Sequence, residues 1–173
     1  AQAFWLSDIA AFGDFGDEIM GMLNWFKRLA GMGPDVSTAL PIISDERGAE
    51  MGGLNFMTAI DAHMKWKNRL ESYIQGTSQE ELSVEVVSCD HQCPLGKWIH
   101  GDGGAQFGGF ETFGEMKSQH VQFHQCAGRV LDAAQKGHKE EAMGMLQRGD
   151  YVRASERIKM LLAKLYVQIS ESK

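Results

Sequence analysis

Cysteine, proline and sustained apolar sequence are all scarce in this 173-residue chain. Three cysteines is a small, odd number that fits a disulfide-stapled secreted scaffold poorly, so free thiols in a reducing cytoplasm are expected. No basic segment followed by an apolar one opens the chain, in keeping with that expectation. Every apolar stretch is broken by Asp, Glu, Lys or Gly well before the roughly 20 residues of a bilayer span, so no membrane span is expected. Long basic runs and basic residues interleaved with aromatics are missing too, which argues against a nucleic-acid partner. Nor does any alternating strand pattern of useful length occur.

What is present suits one domain. Apolar residues make up 43% of the chain, enough to bury a core without cofactor or disulfide support. The net charge of −6 is unevenly spread: residues 1–62 carry nine acids against three bases, and residues 138–173 carry seven bases against five acids.

Helical periodicity dominates from residue 54 onward. Phe56, Ile60, His63, Lys67, Leu70 and Ile74 fall at alternating steps of four and three, the stripe of an amphipathic helix that Gly76 stops. Ser78 and Glu81 have the spacing of a capping box, predicting a short second helix through about Ser88. Pro94 suits the first turn of a third, "PLGKWI", with Cys93 at its N-cap. "GDGGAQFGG", residues 101–109, holds five glycines and reads as a flexible loop; it lacks the Lys-Ser/Thr of a phosphate-binding loop. The period returns from Phe110 to Gly137, with Phe113, Met116, His120, His124, Ala127, Leu131 and Ala134 on one face. A polar stretch, His138 to Gly149, precedes a last stripe through Tyr151, Ile158, Leu161, Leu165 and Ile169. The expected fold is therefore an all-α, four-helix-bundle-like domain with short connecting helices, over residues 54–173.

Residues 1–53 read as an N-terminal appendage and linker. Trp5, Ile9, Phe12, Ile19, Leu23 and Phe26 share a stripe, but Gly13, Gly16 and Gly21 each cost about 1 kcal/mol in a helix interior. Pro34, Pro41 and several glycines mark the linker. The aromatic segment is a candidate partner-binding or targeting element, or packs on its own bundle.

The chemistry gathers on a few side chains. His120 and His124 lie four apart, so on a helix their imidazoles share a face and can converge on one ion. His63 also sits on an apolar stripe, where a partnerless imidazole is costly, and three inward histidines on two helices need a common explanation. Cys93 is a candidate fourth ligand, because the amides and dipole of a helix N-terminus lower a thiol pKa. One thiolate and three imidazoles make a tetrahedral zinc set with no open position, which fits a structural or sensory metal better than a hydrolytic one.

His63, "CPLGKW" with Cys93, and "HVQFH" with His120 and His124 together resemble the chemoreceptor zinc-binding domain family over about residues 55–170. The resemblance implies an all-α homodimeric bundle with Zn2+ held by His63, Cys93, His120 and His124. It further implies a bacterial cytoplasmic sensor, not an enzyme, that controls a chemotaxis or cyclic-di-GMP signalling partner such as a chemoreceptor or diguanylate cyclase. Cys93 would then be the redox-sensitive residue, answering to hypochlorous acid, or the site would answer to zinc itself. Such domains are commonly fused to an output domain, and this sequence has neither a long heptad hairpin nor a cyclase-like α/β pattern, so the chain is either a stand-alone sensor or a piece of a longer protein.

Around the ligands, Asp90, His91 and Trp98 are candidate supporting residues, with Leu95, Gly96 and Trp98 also packing the short helix on the bundle. Cys89 can pair with Cys93 after oxidation or, more simply, is a buried thiol on the second helix; Cys126 reads as core, and His100 and His138 as exposed. A di-iron bundle of the hemerythrin type is the rival, kept alive by Glu111 and Glu115 but short of further inward carboxylates. A purely structural zinc dimerisation module is the third alternative.

Overall fold

The computed structural model describes residues 50–172; the apolar stripe from Trp5 to Phe26 and the linker up to residue 49 lie outside the described residues. A two-residue ladder comes first, β1 (Glu50–Met51) pairing antiparallel with β2 (Leu54–Asn55) in the register Met51 to Leu54. Gly52 and Gly53 make its turn with φ of 56° and 78°, a pair of left-handed conformations that suits glycine. The ladder is too short to show as alternation in the sequence. Met51 and Leu54 are buried in the bundle's core, whereas Glu50 and Gly53 are exposed.

Helix α1 (Phe56–Gln75) is capped by Asn55, whose side chain accepts from the Thr58 amide at 2.9 Å, and ends at left-handed Gly76. Its stripe is buried at Phe56, Ile60, His63, Leu70 and Ile74, while Lys67 is exposed. Helix α2 (Val84–Ser88) starts five residues later than the capping-box expectation. Ser78 Oγ accepts from Glu80 N, a turn two residues on, and Ser83 takes the cap by accepting from Val86 N.

Helix α3 (Pro94–His100) is capped by Cys93 as predicted. The glycine-rich segment, expected to be a loop, is instead helix α4 (Asp102–Phe107). Its glycines serve close packing: a Cβ on Gly103 would lie 2.3 Å from the Trp98 ring, and one on Gly104 2.6 Å from Ile99 O. Long α5 (Glu111–Gln135) follows the predicted period. The polar stretch after it holds a further helix, α6 (Lys139–Gln147), whose buried Ala142 and Leu146 are too few to stand out as a stripe. Helix α7 (Asp150–Glu171) closes the chain.

Helix α5 is the hub, packing against α7, α2, α6 and α1, while α1 also touches α6 and α7. The result is an all-α, bundle-like domain. Its apolar interior forms two clusters: one around Phe56, Trp98, Phe113 and Leu165, the other around Leu70, Phe123, Leu131 and Tyr151. Among the described residues no helix is long and apolar enough to cross a membrane.

Candidate metal centre

Between those clusters lies a polar layer. His63 on α1 and His120 and His124 on α5 are 3%, 0% and 2% exposed. Two of the rings are held by backbone carbonyls: His63 Nδ1 lies 2.7 Å from Ala59 O one turn back, and His124 Nδ1 lies 2.7 Å from Val87 O on α2. A carbonyl only accepts, so both Nδ1 atoms carry the proton and both Nε2 atoms present a bare lone pair. Gly128 makes the second contact feasible, because a Cβ there would meet Ser88 Oγ at 1.9 Å and push α2 off α5.

The free ends converge. His124 Nε2 is 3.2 Å from His120 Nε2, and Cys93 Sγ is 3.3 Å from the same atom. One ligand atom from each histidine lies within 4.8 Å of both others, and among the described residues this is the one such group of three potential metal ligands. His63 Nε2 and His120 Nδ1 are buried with no hydrogen-bond partner.

The bare lone pair of His63 Nε2, buried in a dry interior without a partner, is an expense a bound cation removes. Separations of 3.2 and 3.3 Å are close to the roughly 3.3–3.7 Å between neighbouring ligands on a tetrahedral zinc with bonds of about 2.0–2.3 Å. The donor set therefore fits Zn2+. Burial pushes the imidazole pKa of His63 down to about 4 and of His120 to about 3, and lowers that of His124. The three rings are accordingly neutral, the form a metal needs.

Cys93 corrects one expectation. Its Sγ does accept from Gly96 N at 3.2 Å, as an N-cap should. Yet burial outweighs the Gly96 and Leu95 amides and raises the thiol pKa. In the metal-free chain Cys93 is a thiol, and a bound cation rather than the helix terminus makes it a thiolate.

The other candidates separate clearly. Trp98 donates from Nε1 to Gly52 O at 2.8 Å and packs edge-on against Phe56, so it belongs to the apolar core. Asp90 sits near the centre: its carbonyl is 3.8 Å from Cys93 Sγ, and its carboxylate holds His100 Nε2 at 2.8 Å. Its pKa is lowered by the His100 contact and the neighbouring His120, against the opposing effect of burial. His91 is exposed and touches Cys89 Sγ at 3.2 Å instead of the histidine layer. Cys89 is the half-buried C-cap of α2 and Cys126 is core; all three cysteines are free. His100 and His138 are exposed, as expected. Glu115 pairs with Arg157 on the surface and Glu111 is exposed, so neither supplies the carboxylates a di-iron centre requires. Ala59 O, Val87 O and Gly128, which orient the rings, were not anticipated. The first two are main-chain atoms with no side-chain signature.

A family model described as the chemoreceptor zinc-binding domain matches residues 63–131. The match opens on His63 and takes in Cys93, His120 and His124. Comparison with curated proteins and with solved structures finds no match. Family and donor set together make Zn2+ the metal of this domain.

Proposed function

We propose that the chain, whose residues 63–131 match the chemoreceptor zinc-binding domain, is a cytoplasmic sensory unit, with no catalytic role, in which His63, Cys93, His120 and His124 hold one Zn2+. The observation that carries this is the group of three buried imidazoles, His63, His120 and His124, whose ligand atoms lie within 4.8 Å of one another, with Cys93 Sγ 3.3 Å from His120 Nε2. Bound there, the ion supplies a Lewis-acidic cross-link among α1, α3 and α5.

Cys93 is the responsive residue. Its thiolate reacts with hypochlorous acid so that sulfur gains the hydroxyl and loses two electrons to chlorine, which leaves as chloride: RS− + HOCl gives RSOH + Cl−. The sulfenic sulfur is a poorer donor, and its bond to Gly96 N weakens with it, which frees the N-terminal turn of α3. That movement reaches a chemotaxis or cyclic-di-GMP signalling partner through a pair of chains. Residues 1–53 supply a partner-binding or targeting segment in this scheme, joined at the buried Met51 to the bundle over 54–173.

Metal analysis of the purified chain, followed by zinc release against hypochlorous acid for wild type and Cys93→Ser, tests it. One zinc per wild-type chain, released by oxidant, and a variant whose residual zinc is oxidant-insensitive are expected. Equal release from both sinks the redox mechanism; a wild-type chain that takes up no zinc sinks the site.

A further inference from the structure

Helix α3 has the metal centre at one end and the entry of the chain into the bundle at the other. Cys93 caps it by accepting from Gly96 N at 3.2 Å, and Trp98 lies five residues on in the same helix. From there Trp98 Nε1 donates to Gly52 O at 2.8 Å, across 46 positions of sequence. Helix α4 follows α3 after Gly101 alone, and its last residue, Phe107, meets the same turn: a Cβ on Gly52 would sit 2.7 Å from the Phe107 ring.

Trp98 has no slack. It is 6% exposed, stands edge-on to Phe56 at 5.5 Å and lies against Phe107 and Phe113 at 5.8 and 5.7 Å between ring centres, with Gly103 pressed to its face. A helix of seven residues is only about 10 Å long, so a shift at its Cys93 end is carried to a ring packed this tightly. The turn that Trp98 holds has little support of its own. Strands β1 and β2 have two residues each, and a two-stranded hairpin is marginal in water by itself, so the order of residues 50–55 depends on what the hairpin docks against.

Resting on Cys93 as a zinc ligand, we propose that α3 relays the state of the metal centre to the junction of residues 1–49 with the bundle, and that Trp98 is the positioning residue that carries it to Gly52. While Cys93 Sγ is held, α3 stays capped and the Trp98 N–H fixes the turn. When the cap is lost, the first turn of α3 frays, Trp98 shifts, Gly52 O exchanges the indole for water, and residues 50–55 loosen. A partner that grips the preceding segment then meets a loose anchor in place of a fixed one.

Hydrogen exchange of the full chain tests this at residues 50–55, with α6, which packs on α1, α5 and α7, as the reference. Adding ZnCl2 to the chelator-stripped wild type should slow exchange at 50–55 by about three- to tenfold beyond the slowing at α6, the worth of about one hydrogen bond. Trp98→Phe keeps a ring in the slot but donates nothing; it should take up the same zinc and lose that excess. A purely structural bond would instead leave exchange at 50–55 faster by one factor in both metal states with the excess intact, which overturns the relay. A wild-type chain that binds zinc and shows no excess also overturns it and leaves the metal site standing. Cys93→Ala removes the cap whatever the metal state, so in the metal-free chain it should speed exchange at 50–55 by a similar factor, and no change there overturns the relay. A wild-type chain that binds no zinc sinks the metal site, and Cys93→Ala then decides the relay alone.

Discussion

On α1 the buried order is Ile60, His63, Leu70, and on α5 it is Met116, His120, Phe123. Each helix thus passes from one apolar cluster through a polar layer into the other. The apolar clusters are filled by aliphatic and aromatic side chains between the helices, with the Tyr151 hydroxyl as their one buried unpartnered side-chain atom among the described residues. The histidine layer is as deeply buried but unfinished, with His63 Nε2 and His120 Nδ1 lacking partners. Equal burial therefore has opposite meaning in the two regions: in one it stabilises the bundle directly, and in the other it does so only once a cation is bound.

Removing the metal should break that contrast most severely. With free zinc a thousandfold above the dissociation constant, binding adds about 4 kcal/mol to the stability of the folded chain. A chelator should take that away, lowering the melting temperature and loosening α3, whose Cys93 cap belongs to the proposed ligand set. Denaturant melts with and without chelator measure it, and coincident curves would show that the layer needs no ion.

A cavity in an apolar cluster should act without regard to metal. Leu131 is fully buried, and Leu131→Ala should cost about 2–5 kcal/mol with the zinc stoichiometry unchanged. Melts of the variant in both metal states test this; a cost that appears in one state alone would mean the two regions are not independent.

This contrast also explains what was legible in the sequence. The stripes of α1, α5 and α7 showed because each helix buries one face along its whole length, and the histidines showed because they sat on those stripes. Cys93 was recognisable as a cap because Pro94 follows it. Helix α4 was hidden because glycine, a helix breaker in isolation, is demanded there by the face of Trp98. Helix α6 was hidden because only Ala142 and Leu146 are fully buried in it. The acidity expected of Cys93 failed because position at a helix start is a local property, whereas burial under α5 is set by the tertiary fold.

The pH response of the metal-free chain sharpens the comparison further. His63 and His120 have folded pKa values near 4 and 3, below the 6.5 of the unfolded chain. Above pH 6.5 both states hold these rings neutral and they make no difference. As pH falls below 6.5 the unfolded chain takes up protons that the folded chain refuses, so stability falls by about 1 kcal/mol per pH unit for each ring until the folded values are reached. Denaturant melts of the metal-free chain between pH 7 and pH 5 should show this decline, and a flat profile would mean that the layer is hydrated.

The smallest effect is the most specific to the layer. His120 is fully buried and its Nδ1 has no partner, so His120→Leu replaces an unfinished polar group by an apolar one of similar size. Removing both the orphaned nitrogen and its desolvation should stabilise the metal-free chain by about 1–2 kcal/mol. The same change should weaken zinc binding severely, since His120 Nε2 is the atom that Cys93 Sγ and His124 Nε2 both approach. A single substitution is thus expected to raise stability without metal and abolish the gain on adding it, turning the polar layer into a third piece of ordinary core. Destabilisation of the metal-free chain by His120→Leu would instead show that the imidazole packs and hydrogen-bonds productively without an ion, and the contrast between the two regions would fail at its most buried residue.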